Sequence, residues 1–162
     1  TAIQQLLRDV EWGETDVLVV DMPPGTGDAQ LTLAQKVPVD GAVIVSTPQD
    51  LALADARKGI NMFREVDIPI LGVIENMSVH ICESCGHESH IFGHGGAEDA
   101  AKKMDCPFLG ALPLHYEIRC ASDRGEPFVL SPVQERFSDI MQDVSGQIWE
   151  GLTREVANSK AS

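Results

Sequence analysis

Residues 17–28 read VLVVDMPPGTGD, and no other stretch of this 162-residue chain limits its fold so tightly. A continuous apolar run rich in β-branched valine is expected to form a strand covered on both faces. The run ends on Asp21 and passes into a loop containing Pro23, Pro24, Gly25 and Gly27. Open α/β sheets place their ligands beyond the carboxyl ends of the strands. There the Asp21 carboxylate would hold Mg²⁺ through a water, because this ion keeps much of its hydration shell. Gly25 and Gly27 would let backbone N–H groups approach a phosphate, and Thr26 and Asp28 could orient water or a neighbouring loop. The competing reading is a rigid strand-to-helix turn in which Asp28 caps a helix starting near Ala29. No GxxxxGK[ST] loop occurs anywhere in the chain, so half of the implied nucleotide site is missing from it.

Three further apolar runs read as strands: residues 42–45, 68–74 and, more weakly, 108–112. Helical stripes lie between and after them. Leu53, Ala56, Ile60 and Phe63 form one, and Ala97, Ala100, Ala101 and Met104 another. Val133, Phe137, Ile140, Met141, Val144 and Ile148 mark a long C-terminal helix, and Ile3, Leu6, Leu7 and Val10 a short opening one. Ser131-Pro132-Val133-Gln134 is a capping box with proline at the first helical position, and residues 47–50 can be read in the same way. Strands alternating with helices predict an α/β domain with a mostly parallel sheet and flanking helices, spanning residues 1–152. Residues 153–162, ending NSKAS, are expected to be disordered.

Composition removes several classes. Hydrophobic content of 43% and charged content of 23% are those of a globular domain. A formal net charge of −13 argues against a nucleic-acid partner, because phosphate contacts need clustered Lys and Arg. No apolar stretch approaches the roughly 20 residues of a membrane-spanning helix. No signal peptide is visible, although the natural start is expected to lie upstream. Four unevenly spaced cysteines do not make a disulfide framework, and a reducing compartment is expected.

Cys82-Glu83-Ser84-Cys85 places two thiols at metal-sharing spacing in a polar loop. A structural Zn²⁺ usually takes four protein ligands. His87 and His90 continue the segment as C-x2-C-x-H-x2-H and could close a local zinc site. Alternatively, two chains could each contribute Cys82 and Cys85 to one [4Fe–4S] cluster at a symmetric interface. A thioredoxin-like redox pair lacks its usual flanking context, and two unrelated surface cysteines are the plain alternative. Cys106 and Cys120 have no partner at ligand spacing and read as small core residues.

Three weaker features complete the set. His94-Gly95-Gly96 precedes an alanine-rich helix and reads either as an anion site at a helix N-terminus or as a glycine-rich turn. Asn76, just past a strand, could hydrogen-bond a base edge or simply serve the turn. Leu112-Pro113 opens an extended segment that runs to Asp123 and Pro127 and could wall a base pocket.

Taken together, VDMPPGTGD (20–28), STPQDLALADARKG (46–59), VIENMS (73–78), CESC (82–85), IFGHGGAEDAA (91–101) and ALPLHYEIRCASDRGEP (111–127) resemble the Mrp-type iron–sulfur cluster carrier ATPases, MinD-related members of the deviant-Walker P-loop class. The segments run in family order across residues 16–152. The resemblance implies a P-loop NTPase-like fold that is incomplete here, lacking the strand and helix of the P-loop. It also implies an ATPase that transfers [4Fe–4S] clusters to apo iron–sulfur proteins. Asp21 would be the Mg²⁺-associated carboxylate, and Gly25 part of the loop sensing the γ-phosphate. Asn76 and the backbone at Pro113, Leu114, His115 and Glu117 would hold the adenine of ATP. Cys82 and Cys85 would bind a cluster bridging a homodimer.

Without a phosphate cradle, the chain is expected to be a fragment or truncated product with negligible ATPase activity. A cytoplasmic location is expected, with a mitochondrial one left open by the missing start. Two rivals are carried forward: a MinD/ParA-like positioning switch without metal cargo, and a zinc-stabilised structural module.

Overall fold

The computed structural model describes residues 5, 7, 9–22, 27–82, 84–130 and 135–161. Among them, three strands form one parallel sheet in the order β1 (Ala42–Ser46), β2 (Ile70–Glu75), β5 (Phe108–Ala111). Register runs from Ala42↔Ile70 to Ser46↔Glu75, and from Val73↔Phe108 to Glu75↔Ala111. A two-stranded hairpin, β3 (His80–Ile81) with β4 (Glu88–Ser89), leaves the C-terminal end of β2. The helices are α1 (Asp28–Lys36), α2 (Asp50–Glu65), α3 (Gly96–Lys103), α4 (Tyr116–Arg124) and α5 (Glu135–Ala161), with a short 3₁₀ turn at Phe128–Leu130.

Successive residues of a strand point to opposite faces, and β2 uses both. Val73 joins Ile44 beneath α2 and α3, where Leu53, Ile60 and the three small residues Ala97, Ala100 and Ala101 pack. The next residue, Ile74, joins Leu109 against Val144 of α5 on the opposite face. The alanine stripe lets α3 lie close to the sheet, and Ala97 and Ala101 have no exposed surface. Close approach also explains Gly96. A Cβ there would stand 2.6 Å from the backbone oxygen of Pro48. Cys106 packs at the edge of this core, as its composition implied.

Five expectations change. The run at residues 17–20 is not a strand, and Val19 is 87% exposed. A strand exists by pairing, and no described residue offers these four a ladder. Residues 116–124 are helical rather than extended: the His115 imidazole caps α4, and Gly125 ends it in the left-handed conformation at φ 69°. The helix escapes periodicity because only Ala121 on it is buried.

α2 starts from Gln49, without a side-chain cap, and the Thr47 hydroxyl bonds to the Gln49 side chain instead. Gly27 takes the cap position of α1, which leaves Asp28 as its first helical residue. α5 continues through residues 153–161, which were expected to be unstructured; extending an existing helix adds one hydrogen bond per residue fixed. Gly25, Thr26 and the capping box at 131–134 lie outside the described residues. Of the opening helix only Gln5 and Leu7 are described, both helical, with Asp9 N–H donating to Gln5 O at 2.8 Å.

Candidate functional site

The parallel pairing of β2 with β5 does not stop where the strands end. Leu112 N–H donates to Glu75 O (2.7 Å), Ser78 N–H to Leu112 O (2.9 Å) and Leu114 N–H to Val79 O (2.8 Å). The Ser78 hydroxyl adds a bond to Leu112 O at 3.0 Å, and His80 bridges to Leu114. Two segments distant in sequence are therefore laced together at the carboxyl end of the sheet. One carries Asn76, the other Pro113, Leu114 and His115.

Asn76 sits half-buried at the turn. Its N–H reaches across to Ser46 O (2.7 Å), and its side-chain oxygen accepts from Met77 N–H (2.9 Å). Met77 adopts φ 57°, a left-handed conformation that redirects the chain toward the hairpin. His115 Nδ1 accepts from Glu117 N–H at 3.1 Å, so that backbone donor is committed to the helix cap.

Beyond His80, the chain makes a tight hairpin carrying the cysteine pair. Cys82 N–H donates to His87 O (3.0 Å) and Gly86 N–H to Cys82 O (2.8 Å), with Gly86 at φ 69° supplying the turn. Cys82 is half-buried and Cys85 exposed. His87 is exposed at the start of the return strand. His90 turns back: its Nδ1 lies 3.0 Å from Ser78 O. A carbonyl only accepts, so that nitrogen carries the proton. The rings of His90 and His94 are 4.3 Å apart between centroids. Among the described residues, no three His, Cys, Asp or Glu side chains converge as a metal-holding group. The local zinc set of Cys82, Cys85, His87 and His90 is thus not gathered.

The glycine turn before α3 also differs from an empty anion site. The Glu75 carboxylate, only 2% exposed, accepts from Ala97 N–H at 2.8 Å and supplies the negative charge that a helix N-terminus favours. Glu75 was not singled out in the sequence, although an acidic residue closing an apolar strand is the available signal. Between the hairpin, the start of α3 and the end of β5 lies a cleft of about 330 Å³, lined by Glu75, His94, Leu114, His115, Phe128 and Phe137 among others. Phe128 meets Phe137 edge-to-face at 4.9 Å, giving this cleft an aromatic wall.

The phosphate-side residues are less assembled. Asp21 is exposed, on a chain segment that is not a strand, and Gly25 is not described.

On α4, the Arg119 guanidinium lies over the Tyr116 ring at 5.1 Å and donates to Cys120 Sγ at 3.1 Å. A hydrogen bond with Cys120 and the charge of that thiolate push the Tyr116 phenol above its ordinary range. Burial pushes the Cys106 thiol up, partly offset by the Arg64 guanidinium.

A family model described as ParA, NUBPL iron-transfer P-loop NTPase, matches residues 1–149. The iron–sulfur cluster carrier protein of Escherichia coli K12 is 51% identical over 155 residues, 93% of this chain and 42% of that protein. The iron–sulfur cluster transfer protein NUBPL of Mus musculus is 58% identical over 131 residues, 81% of this chain and 41% of that one. Among solved structures, the Archaeoglobus fulgidus nucleotide-binding protein in complex with ADP superposes with a TM-score of 0.72 at 40% identity. That superposition covers 84% of this chain and 56% of the other. The chain therefore spans less than half the length of these two curated relatives.

Proposed function

Because the chain belongs to the NUBPL-type iron-transfer P-loop NTPases of the ParA group, we propose that it is the cluster-bearing and base-binding part of an ATP-dependent iron–sulfur cluster carrier. In this reading Cys82 and Cys85 supply two thiolates, and the same pair from a second copy completes a four-thiolate set around a [4Fe–4S] cluster. The cluster is cargo, passed on to apo iron–sulfur proteins. The observation that carries the reading is the hairpin itself: a tight turn projects Cys85 into solvent and holds Cys82 two residues beyond the sheet-end ladder.

The nucleotide half of the proposal rests on the same ladder. Asn76 and the backbone at Pro113, Leu114 and His115 lie on two adjacent strand extensions, with Glu117 following in the first turn of α4, where an adenine could be held edge-on. Asp21 would hold Mg²⁺ through water, and the ion would supply charge neutralisation at the phosphates. Gly25 would belong to the loop sensing the γ-phosphate. Hydrolysis is assigned to a longer protein, since these 162 residues contain no GxxxxGK[ST] loop.

A zinc module has less support. Cys82, Cys85, His87 and His90 do not converge as a metal-holding group among the described residues. A cargo-free positioning switch leaves the Cys82 and Cys85 pair without a role.

The test is anaerobic iron–sulfide reconstitution of this chain beside Cys82→Ser, with absorbance, metal content and native mass recorded together. Iron-bearing dimers with broad visible absorption, both lost in the variant, support the carrier. Stoichiometric zinc in monomers, with no cluster, would overturn it.

A further inference from the structure

Among the described residues, two contacts join the cysteine hairpin to the end of the sheet. Its outgoing strand enters directly from the ladder, through Val79 and the His80–Leu114 bridge. Its return strand, β4, pairs with β3 and forms no ladder with the main sheet among the described residues. The second attachment is the His90 Nδ1–H bond to Ser78 O, made immediately after β4 ends at Ser89. Ser78 is buried, and its backbone N–H and its hydroxyl both bond to Leu112 O, one residue before Pro113. One short relay thus runs from the cysteine pair through His90 and Ser78 to the segment at residues 112–114.

We infer that His90 is a positioning residue that couples metal occupancy of Cys82 and Cys85 to the conformation of residues 112–114. This deepens the carrier reading and rests on it. A hairpin pinned at both strands moves as a unit with its anchor, whereas one pinned at a single strand pivots at residues 79–80. Closing two thiolates on a metal reshapes the turn at 82–87. With His90 bonded, that strain is delivered to Ser78 and on to Leu112. Coupling of this kind is reciprocal, so base occupancy at residues 113–117 would shift the metal affinity of the cysteine pair by the same factor.

The probe is zinc alone, titrated into the reduced, ¹⁵N-labelled chain and followed by amide chemical shifts. Cys82→Ser defines the site. In the wild type, zinc saturation is expected to shift Ser78, Leu112 and Leu114 as well as the hairpin, and to leave Val43 and Ile44 of β1 unmoved. His90→Ala should retain zinc binding and a dispersed spectrum, because His90 is exposed, yet lose the shifts at Leu112 and Leu114. His90→Asn, whose side-chain amide donates from near the Nδ1 position, should restore them. Ser78→Ala, which removes one of the two bonds to Leu112, should reduce them.

Shifts confined to residues 80–90 in the wild type, or unchanged at Leu112 and Leu114 in His90→Ala, overturn the coupling and leave the carrier reading intact. Zinc binding abolished by His90→Ala would make His90 a ligand and overturn the positioning role. No zinc binding that depends on Cys82 would overturn the cargo site, and the coupling with it.

Discussion

The Glu75 carboxylate at the end of β2 accepts a hydrogen bond from Ala97 N–H at 2.8 Å, closing the first turn of α3 from a position 22 residues away. Gly95, the cap residue of that helix, has no side chain to do this, and Ala97 is fully buried, so water has no access to the donor. Glu75→Ala should therefore destabilise the chain by about 1–3 kcal/mol, the cost of leaving a buried donor unsatisfied. Glu75→Gln, which keeps an acceptor, should cost less. Urea denaturation of the two variants checks the order, and equal losses would refute the capping role.

Two glycines on helices should respond in opposite directions to alanine. At Gly96 the new methyl would meet Pro48 O at 2.6 Å and Leu53 Cδ1 at 2.9 Å, and overpacking against backbone costs about 1–3 kcal/mol. At Gly146, within α5, nothing lies within 4 Å, so removing backbone freedom should stabilise by about 0.5–1 kcal/mol. Paired denaturation midpoints decide the matter.

Thiol labelling should separate the cysteines by pH. Cys106 is half-buried, and its thiol is pushed above the ordinary range chiefly by that burial. Its labelling should lag behind exposed Cys85 near neutral pH and accelerate only in more alkaline buffer. The sign for stability follows. The unfolded chain ionises this thiol first, so the Cys106 contribution is fully present below the ordinary thiol range and is lost as pH rises through the raised folded value. Cys106→Ala should flatten that alkaline decline in a stability-against-pH series.

The outer edge of β1 has no strand partner among the described residues, and Val45 on it is 57% exposed. With Val19 and its neighbours also in solvent, the chain should self-associate as concentration rises. Sedimentation velocity should show this, and Val45→Lys should suppress it. A monomer at every concentration would count against the edge as the cause.

Phosphate release from ATP by this chain should match that of Asp21→Asn within error, because no P-loop sequence is present to hold the phosphates. Turnover that falls in the variant would contradict the assignment of hydrolysis to a longer protein.

What could be read from the residues alone was whatever is local and periodic. The apolar runs at 42–45, 68–74 and 108–112 became the three sheet strands, and the stripes through Leu53 and Ala97 became the helices beneath them. Cys82 and Cys85 stood out because ligand spacing is a property of neighbours in sequence. Where locality failed, so did the reading. Residues 17–20 have strand composition, but a ladder requires a partner, which composition does not carry. Residues 116–124 are helical with almost no buried face, so their stripe was invisible. The site's connecting bonds depend on the folded chain: Glu75 reaches Ala97, His90 reaches Ser78 across 12 residues, and Ser78 reaches Leu112 across 34. Sequence chose the donors and acceptors. Only the packing of α3 and β5 around β2 brought them within 3 Å or so of one another, because a hydrogen bond acts over that distance and no further.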